Sequence, residues 1–347
     1  MVAQTLVKRL GVIDTLGSVS TICSDKTGTL TQNKMTVAHV LLHHKGGARQ
    51  VHKASYLTNN DHQLSPGFQR LFRAAILCTR TSYETSASNL SKPPGSRELL
   101  GDATEKAIFR FCDQVAATHL NPGPVTEDMR KSNPKAGEIP FSSRNKWQAS
   151  VHSTISTPDS PPRYFLVVKG APERVMDLCT NTSFVGGGEG PTQGWQASAR
   201  LGCEELGSMG ERVLAFAETE ITDVAPGTVF TDDRIMECMT DMTFLGLITM
   251  QDPPRLQVPA AIQLCQRAGI NVVMVTGDFA STAVAIASQV GIISEAKKSH
   301  VRTGKSLLKM SESELEAILE MDGAHLPPLL VTGDEINRFN DVSTILG

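Results

Sequence analysis

Residues 23–31 read Cys-Ser-Asp-Lys-Thr-Gly-Thr-Leu-Thr, and one carboxylate in that run, Asp25, stands where a nucleophile toward a phosphoryl group would be needed. The preceding segment, Ser18 to Cys23, is made of β-branched and small apolar residues, which predicts a buried strand with Asp25 just past its end. In open α/β sheets the carboxyl ends of strands are where ligands bind. Thr27, Gly28 and Thr29 add hydroxyls and a glycine that lets backbone N–H groups approach phosphate oxygens. A carboxylate so placed attacks phosphorus and carries the group as an aspartyl-phosphate.

A second turn of the same kind is Met274 to Asp278, an apolar strand ending in Thr276-Gly277-Asp278. The helix predicted over Ser281 to Val290 offers unpaired N–H groups and a positive dipole end to an anion. The strands before Asp25 and Asp278 are expected to be neighbours in one parallel sheet.

Around these turns the chain divides into three stretches: 1–41 and 241–347 as two parts of one domain, and 42–240 inserted between them. The β-rich start continues through Gln32 to Leu41, and His43 to Gly47 reads as a linker. Apolar residues at Phe68, Leu71, Phe72, Ala75 and Ile76 predict an amphipathic helix over 66–80. Thr81 to Ser96, polar and rich in Ser and Pro, reads as a mobile surface loop. Asp102 begins the next helix as its cap, with Glu105 completing a capping-box-like pattern. Trp147 to Ile155 and Tyr164 to Val168 predict a hairpin with a long loop. Phe244 to Met250 and Val272 to Val275 read as buried parallel strands joined by a helix over Val258 to Ala268, a βαβ unit.

Composition narrows the classes. The chain has 347 residues and 40% hydrophobic content, enough for two cores. Its formal charge of −3 comes from 33 basic and 36 acidic residues without a block of one sign, so no nucleic-acid partner is expected. Seven cysteines without a CxxC pair fit a reducing compartment. His43-His44 lacks companions at metal-ligand spacing and reads as solvated. The longest apolar runs fall far short of the roughly 20 residues that span a bilayer, and Val2 to Leu16 has no signal-peptide pattern.

The 23–31 string resembles the phosphorylation motif of the P-type ATPases, ion pumps that pass through a phosphoenzyme. Further segments are similar to that family: Lys169-Gly170-Ala171-Pro172-Glu173, Pro140 to Gln148, Glu211-Arg212-Val213-Leu214, Asp102 with Glu105, and Asp252-Pro253-Pro254-Arg255. The resemblance covers nearly the whole chain and is greatest to the sodium/potassium and proton/potassium group. It implies a haloacid-dehalogenase-like α/β phosphorylation domain with a parallel sheet, incomplete at its C-terminal end, and an inserted α+β nucleotide-binding domain.

The resemblance also implies a site. Asp25, Lys26, Thr27, Thr276, Gly277 and Asp278 would handle the phosphoryl group, with Asp25 and the Thr27 carbonyl on Mg2+. Asp102, Glu105, Phe141, Lys146, Gln148, Lys169, Gly170, Arg212, Asp252 and Arg255 would serve ATP, Phe141 stacking on adenine. Asp252 to Arg255 would also form a stiff re-entry into the phosphorylation domain. The implied partners are ATP, the transmembrane and actuator domains of a parent pump, and an accessory beta subunit. The parent would lie in a membrane with this segment on its cytoplasmic side.

Two departures stand out. The family's Thr-Gly-Asp is usually followed by His-Pro, and here Phe279-Ala280 follows, so no cation is assigned. The family's GDGxNDxP motif and the lysine before it are missing, Val331 to Asn337 being only superficially similar. The chain alone is therefore expected to phosphorylate itself poorly. A nucleotide-binding module without turnover is the alternative. A soluble phosphatase is disfavoured, because Thr27 stands where that group has an Asp general acid.

Overall fold

Residues 165–168, Phe-Leu-Val-Val, are apolar without interruption, yet they serve two different cores. Phe165 and Val167 pack on one side of a sheet, Leu166 and Val168 on the other, as the two-residue period of a strand requires. The same split recurs at Val40 and Leu42 against Leu41, and at Phe216 against Ala215 and Ala217.

The computed structural model describes residues 17–59, 64–119, 125–154, 162–191, 193–222, 224, 228–276, 280–294, 302–303 and 329–330. Its main strands, in chain order, are β1 Thr21–Asp25, β2 Thr36–His43, β3 Arg49–Lys53, β4 Ser82–Tyr83, β5 Leu99–Leu100, β6 Lys135–Ile139, β7 Trp147–Thr154, β8 Arg163–Gly170, β9 Cys179–Ser183, β10 Glu189–Gly190, β11 Arg212–Ile221, β12 Met242–Gln251 and β13 Asn271–Val275. Two units are distinct, 34–252 and the combination of 1–33 with 253–347.

In the 34–252 unit the strand order is β10-β9-β12-β11-β8-β7-β6, with β2 also on β12 and β3 outside β2. Neighbours run antiparallel except β9 and β12. One face carries the helices Ala54–Asn59, Pro66–Leu77 and Ala103–His119. The other carries Pro172–Met176, Trp195–Ser208 and Asp232–Glu237. Ser65 caps the Pro66–Leu77 helix by accepting from Phe68 N at 3.3 Å, with Pro66 in the first turn.

This arrangement corrects the expected βαβ unit. Residues 244–250 belong to β12, a central strand of the antiparallel sheet, and not to the sheet of β13. A strand buried on both faces reads as a continuous apolar run whether its neighbours are parallel or antiparallel, and helices on both faces produce that here. Gly246, at φ +146°, lies where a Cβ would stand 2.4 Å from the Leu41 carbonyl oxygen, beside the register shift between Phe216 and Ala217. A side chain there is excluded by both space and backbone conformation.

The division also differs from the expected 41/42 and 240/241. It falls at 33/34 and 252/253, because β2 pairs with β12 and both belong to the insertion. His43 to Gly47 is no linker. His43 ends β2, and His44 N and O bond to Ala48 O at 2.7 Å and Gly47 N at 3.0 Å, closing the β2–β3 hairpin. Residues 81–96 hold β4, which pairs with β5, and the helix Ala87–Leu90 capped by Ser86. Asn89 is 2% exposed and fixes that segment through Glu84 O, Glu98 O and Glu98 N. The expected 147–155 and 164–168 hairpin is present as β7 and β8.

In the other unit β1 pairs with β13 in parallel, Asp25 opposite Val275. The helix Val258–Arg267 precedes β13 and Ala280–Gln289 follows it, and Leu30, Ile262, Ile286 and Val290 form a small core. Asp25 is the last residue of its strand. Contrary to expectation β1 is not buried: Ile22 is 38% exposed, and β13 is the one described neighbour of β1. Among the described residues no helix is long and apolar enough to cross a membrane. Val2 to Leu16 and Val331 to Asn337 lie outside the described residues.

Burial of two histidines makes the stability of this fold pH-dependent. His43, expected in solvent, is 1% exposed between Trp195 and Phe244, with neither ring nitrogen hydrogen-bonded. Burial lowers its pKa to about 4. His152, 2% exposed, is lowered to about 4 by the same cause, although the Asn133 carbonyl opposes it. The unfolded chain binds these protons near pH 6.5 and the folded chain does not, so stability is full above that pH and falls toward pH 4. The slope approaches about 1.4 kcal/mol per pH unit for each histidine. Urea midpoints between pH 7.5 and 4.5 will decline accordingly, and His43→Leu will flatten the decline.

Candidate functional site

Two groups of side chains converge, one in each unit. In the 1–33 and 253–347 unit, the chain leaves β1 at Asp25 and enters a looped turn over Lys26–Leu30, with Thr27 extended at φ −75°, ψ 120° and Gly28 at φ 77°. The turn is held by hydrogen bonds to its main chain. Lys26 O accepts from Thr31 N at 3.0 Å and from the Thr31 hydroxyl at 3.1 Å, and Thr31 Oγ1 accepts from Gly28 N at 3.3 Å. Arg255 donates to Gly28 O at 2.7 Å, and its own N–H reaches Leu30 O at 2.9 Å.

Asp25 is exposed and Lys26 buried. The parallel register sets Thr276 one residue beyond the partner of Asp25, at the same end of the sheet. Adjacent strands are about 4.8 Å apart, so the Asp25 and Thr276 backbones are close neighbours. Gly277 and Asp278 lie outside the described residues.

In the 34–252 unit the cross-strand register puts Gln148 of β7 beside Lys169 of β8, and Lys169 beside Phe216 of β11. Lys169 Nζ meets Glu105 Oε1 at 2.5 Å, and both side chains are 7% exposed. The remaining oxygen of Glu105 accepts from Arg80 N at 3.0 Å. Burial pushes the Glu105 pKa up, but the Lys169 ammonium, its hydrogen bond and the Arg80 N–H outweigh it and hold the carboxyl below its usual value. Gln148 is 3% exposed, and its Nε2 has no hydrogen-bond partner.

At the same end of these strands stand Phe141, 60% exposed, and Lys146, at φ 60° in the turn before β7. Gly170 lies so close to that turn that a Cβ would meet Lys146 O at 2.5 Å and Trp147 Cα at 2.6 Å. The approach is closed by Ala171 N donating to Lys146 O at 2.9 Å. Arg212, at the head of β11, donates to Thr104 Oγ1 at 3.0 Å.

Two of the expected residues, Asp102 and Asp252, bond to the main chain. Asp102 Oδ1 accepts from Thr104 N at 2.9 Å and Glu105 N at 3.0 Å, a helix cap. The capping box is not completed, because Glu105 turns to Lys169 and Arg80. Asp252 Oδ1 accepts from Lys34 N at 3.0 Å. Sequence reasoning missed Thr104, Arg80 and the buried Thr79 and Thr81. Thr104 carried a signal, standing directly before Glu105 in the first turn of its helix.

The sequence matches the family description "P-type ATPase, cytoplasmic domain N" over residues 67–257, and "haloacid dehalogenase-like hydrolase" over 192–338. The chain belongs to the P-type ATPases. It is 43% identical over 293 residues to the sodium/potassium-transporting ATPase subunit alpha-A of Artemia franciscana, a match covering 84% of this chain and 28% of that protein. It is 38% identical over 350 residues to the alpha-4 subunit of Rattus norvegicus, covering 95% of this chain and 32% of that one. Against the human alpha-2 subunit it is 43% identical over 299 residues, 84% of this chain and 27% of the other. This P-type ATPase chain thus spans about a third or less of the relatives it matches.

The Glu105 and Lys169 pair sets the stability of the insertion's site face. Truncating one partner strands a buried charge, which costs about 3–5 kcal/mol. Lys169→Met and Glu105→Gln will each lower the urea-derived unfolding free energy by that order, and the double variant will recover most of the loss. Equal, additive losses in the two single variants would show that the pair is not coupled.

Proposed function

We propose that this chain is the ATP-binding and phosphoryl-accepting segment of a cation-transporting pump. The observation that carries the reading is the buried, register-paired Gln148 and Lys169, one with an unpartnered donor and the other a buried ammonium, beside an exposed Phe141. A buried amide donor without a partner is unfavourable unless a ligand supplies the acceptor. Phe141 offers a ring face for a purine. Gln148 supplies a donor to it, and Lys169 and Arg212 supply positive charge toward the phosphate tail. Lys146 and Gly170 shape the turn beside them.

Asp25 is the group that receives phosphorus. Its carboxylate oxygen attacks the terminal phosphoryl in line, the bond to the leaving ADP oxygen breaks, and an aspartyl-phosphate remains. Lys26 and Thr276 position phosphoryl oxygens, together with Gly277 and Asp278 of the same motif. The Asp25 carboxylate and the Thr27 carbonyl are hard oxygen donors of the kind Mg2+ takes, usually with water and phosphate completing its shell. Bound there, the ion supplies charge neutralisation. Asp252 and Arg255, which bond to main-chain groups of Lys34 and Gly28, hold the chain on either side of the two sites and remain candidates for the nucleotide.

The remaining partners of the proposal are a membrane domain, an actuator domain and an accessory subunit, with this segment on the cytoplasmic side. Titrating the chain with ATP in a calorimeter will give saturable binding. Phe141→Ala will weaken it by about 1–3 kcal/mol, the value of one stacked base. In a pump carrying this segment, γ-labelled ATP with Mg2+ will leave an acid-stable, hydroxylamine-sensitive label that Asp25→Asn abolishes. ATP binding with no label in such a pump would leave only a nucleotide-binding module.

A further inference from the structure

A cavity of about 300 Å3 opens within the 34–252 unit, lined by Thr79, Arg80, Arg130, Asn133, Lys135 and His152 among others, none of them acidic. Three of these side chains are cationic. Arg130 is built into the wall: its guanidinium donates to the Ile76, Thr79 and Thr81 carbonyls and covers the Phe109 ring at 4.8 Å. It is fixed before any ligand arrives. Arg80 and Lys135 are differently placed, since both reach one carboxylate, Glu138.

Donor accounting then decides what the cavity can take. A guanidinium has five N–H groups and an ammonium three, while Arg80 and Lys135 each show one hydrogen bond to Glu138. Several donors on two positive groups stay unused beside a cavity without a carboxylate in its wall. Burial holds His152 neutral down to about pH 4, and its ring nitrogens are taken up by Asn133 O at 3.1 Å and Ser150 Oγ at 2.9 Å. The imidazole therefore serves as wall and not as an anion ligand. Glu105, which accepts from the Arg80 main-chain N–H, is engaged by Lys169.

We infer that this cavity is a binding site for a small phosphate-type oxyanion, held by Arg80 and Lys135 against Arg130, with Glu138 as the built-in competitor that the anion displaces. Phe141, Lys169 and Arg212 are not part of its wall. It requires no chemistry of its own, only exchange of one oxyanion for another on the same two cations.

The test uses inorganic phosphate and the whole chain, with the His152 ring resonances as a local reporter and calorimetry for affinity. Saturable phosphate binding that shifts His152 is expected. Arg80→Gln and Lys135→Gln will each weaken it about tenfold or more, and Glu138→Gln will strengthen it about tenfold by removing the competitor. Opposite signs in variants of one surface cluster cannot come from misfolding. Arg212→Gln will leave phosphate binding unchanged, and ATP will move the Phe141 ring resonances. Absence of a saturable His152 shift up to ~100 mM phosphate, unchanged affinity in all three cluster variants, or loss of binding in Arg212→Gln would each overturn the assignment.

Discussion

An ammonium and a carboxylate removed from water must neutralise each other, and in this chain that constraint falls on Lys169 and Glu105. The pair ties the middle sheet to the first turn of the Ala103–His119 helix, and through Glu105 to the Arg80 main chain beyond the Pro66–Leu77 helix. Three elements from different parts of the sequence are thereby brought to one point. Apolar packing alone would hold the helices on the sheet without fixing their register along it. The charge pair sets that register, because a carboxylate one helical turn away could reach neither Lys169 nor Arg80 N.

The turn after β1 relies on a different constraint. Asp25 is exposed, and among the described residues β1 pairs with β13 alone, so its orientation comes from the loop behind it. Lys26 O, Gly28 O and Leu30 O are each bound by a donor from outside the turn or from its far end. A loop whose carbonyls are taken in this way keeps its remaining N–H groups available to an anion. Gly28 is needed because the turn passes through φ 77°, where a side chain is strained.

The site was legible in the sequence where one short string carries both fold and chemistry. Residues 23–31 mark a strand and a turn at once and carry the proposed nucleophile, and β1 beside β13 follows from two such strings. Residues 147–154 and 163–170 were legible as a hairpin because of their pattern and their separation. The topology of β12 was not, since a strand covered on both faces has no alternation to reveal its partners. Nor was the burial of His43, whose sequence neighbours His44 and Lys45 suggest solvent while its ring fills a gap between Trp195 and Phe244 from distant segments. The order within 81–96 was hidden because it rests on one buried amide, Asn89, bonding to backbone groups up to nine residues away. Composition cannot show such bonds.

The availability of Arg212 depends on its neighbour. Glu211 is buried, with His39 Nδ1 at 2.8 Å and the Thr249 hydroxyl also upon it, so it is fastened to β2 and β12 at once. Successive side chains at a strand point to opposite faces, and an inward Glu211 obliges Arg212 to turn outward, where it reaches Thr104. Glu211 and Arg212 are adjacent in sequence but have unlike tasks, one spent on internal hydrogen bonds and the other kept at the surface. Reversing their order would bury a guanidinium against His39 and expose a carboxylate beside Thr104. The pairing of acid before base is therefore set by the alternation of the strand, and the positive charge offered at this end of the sheet follows from it.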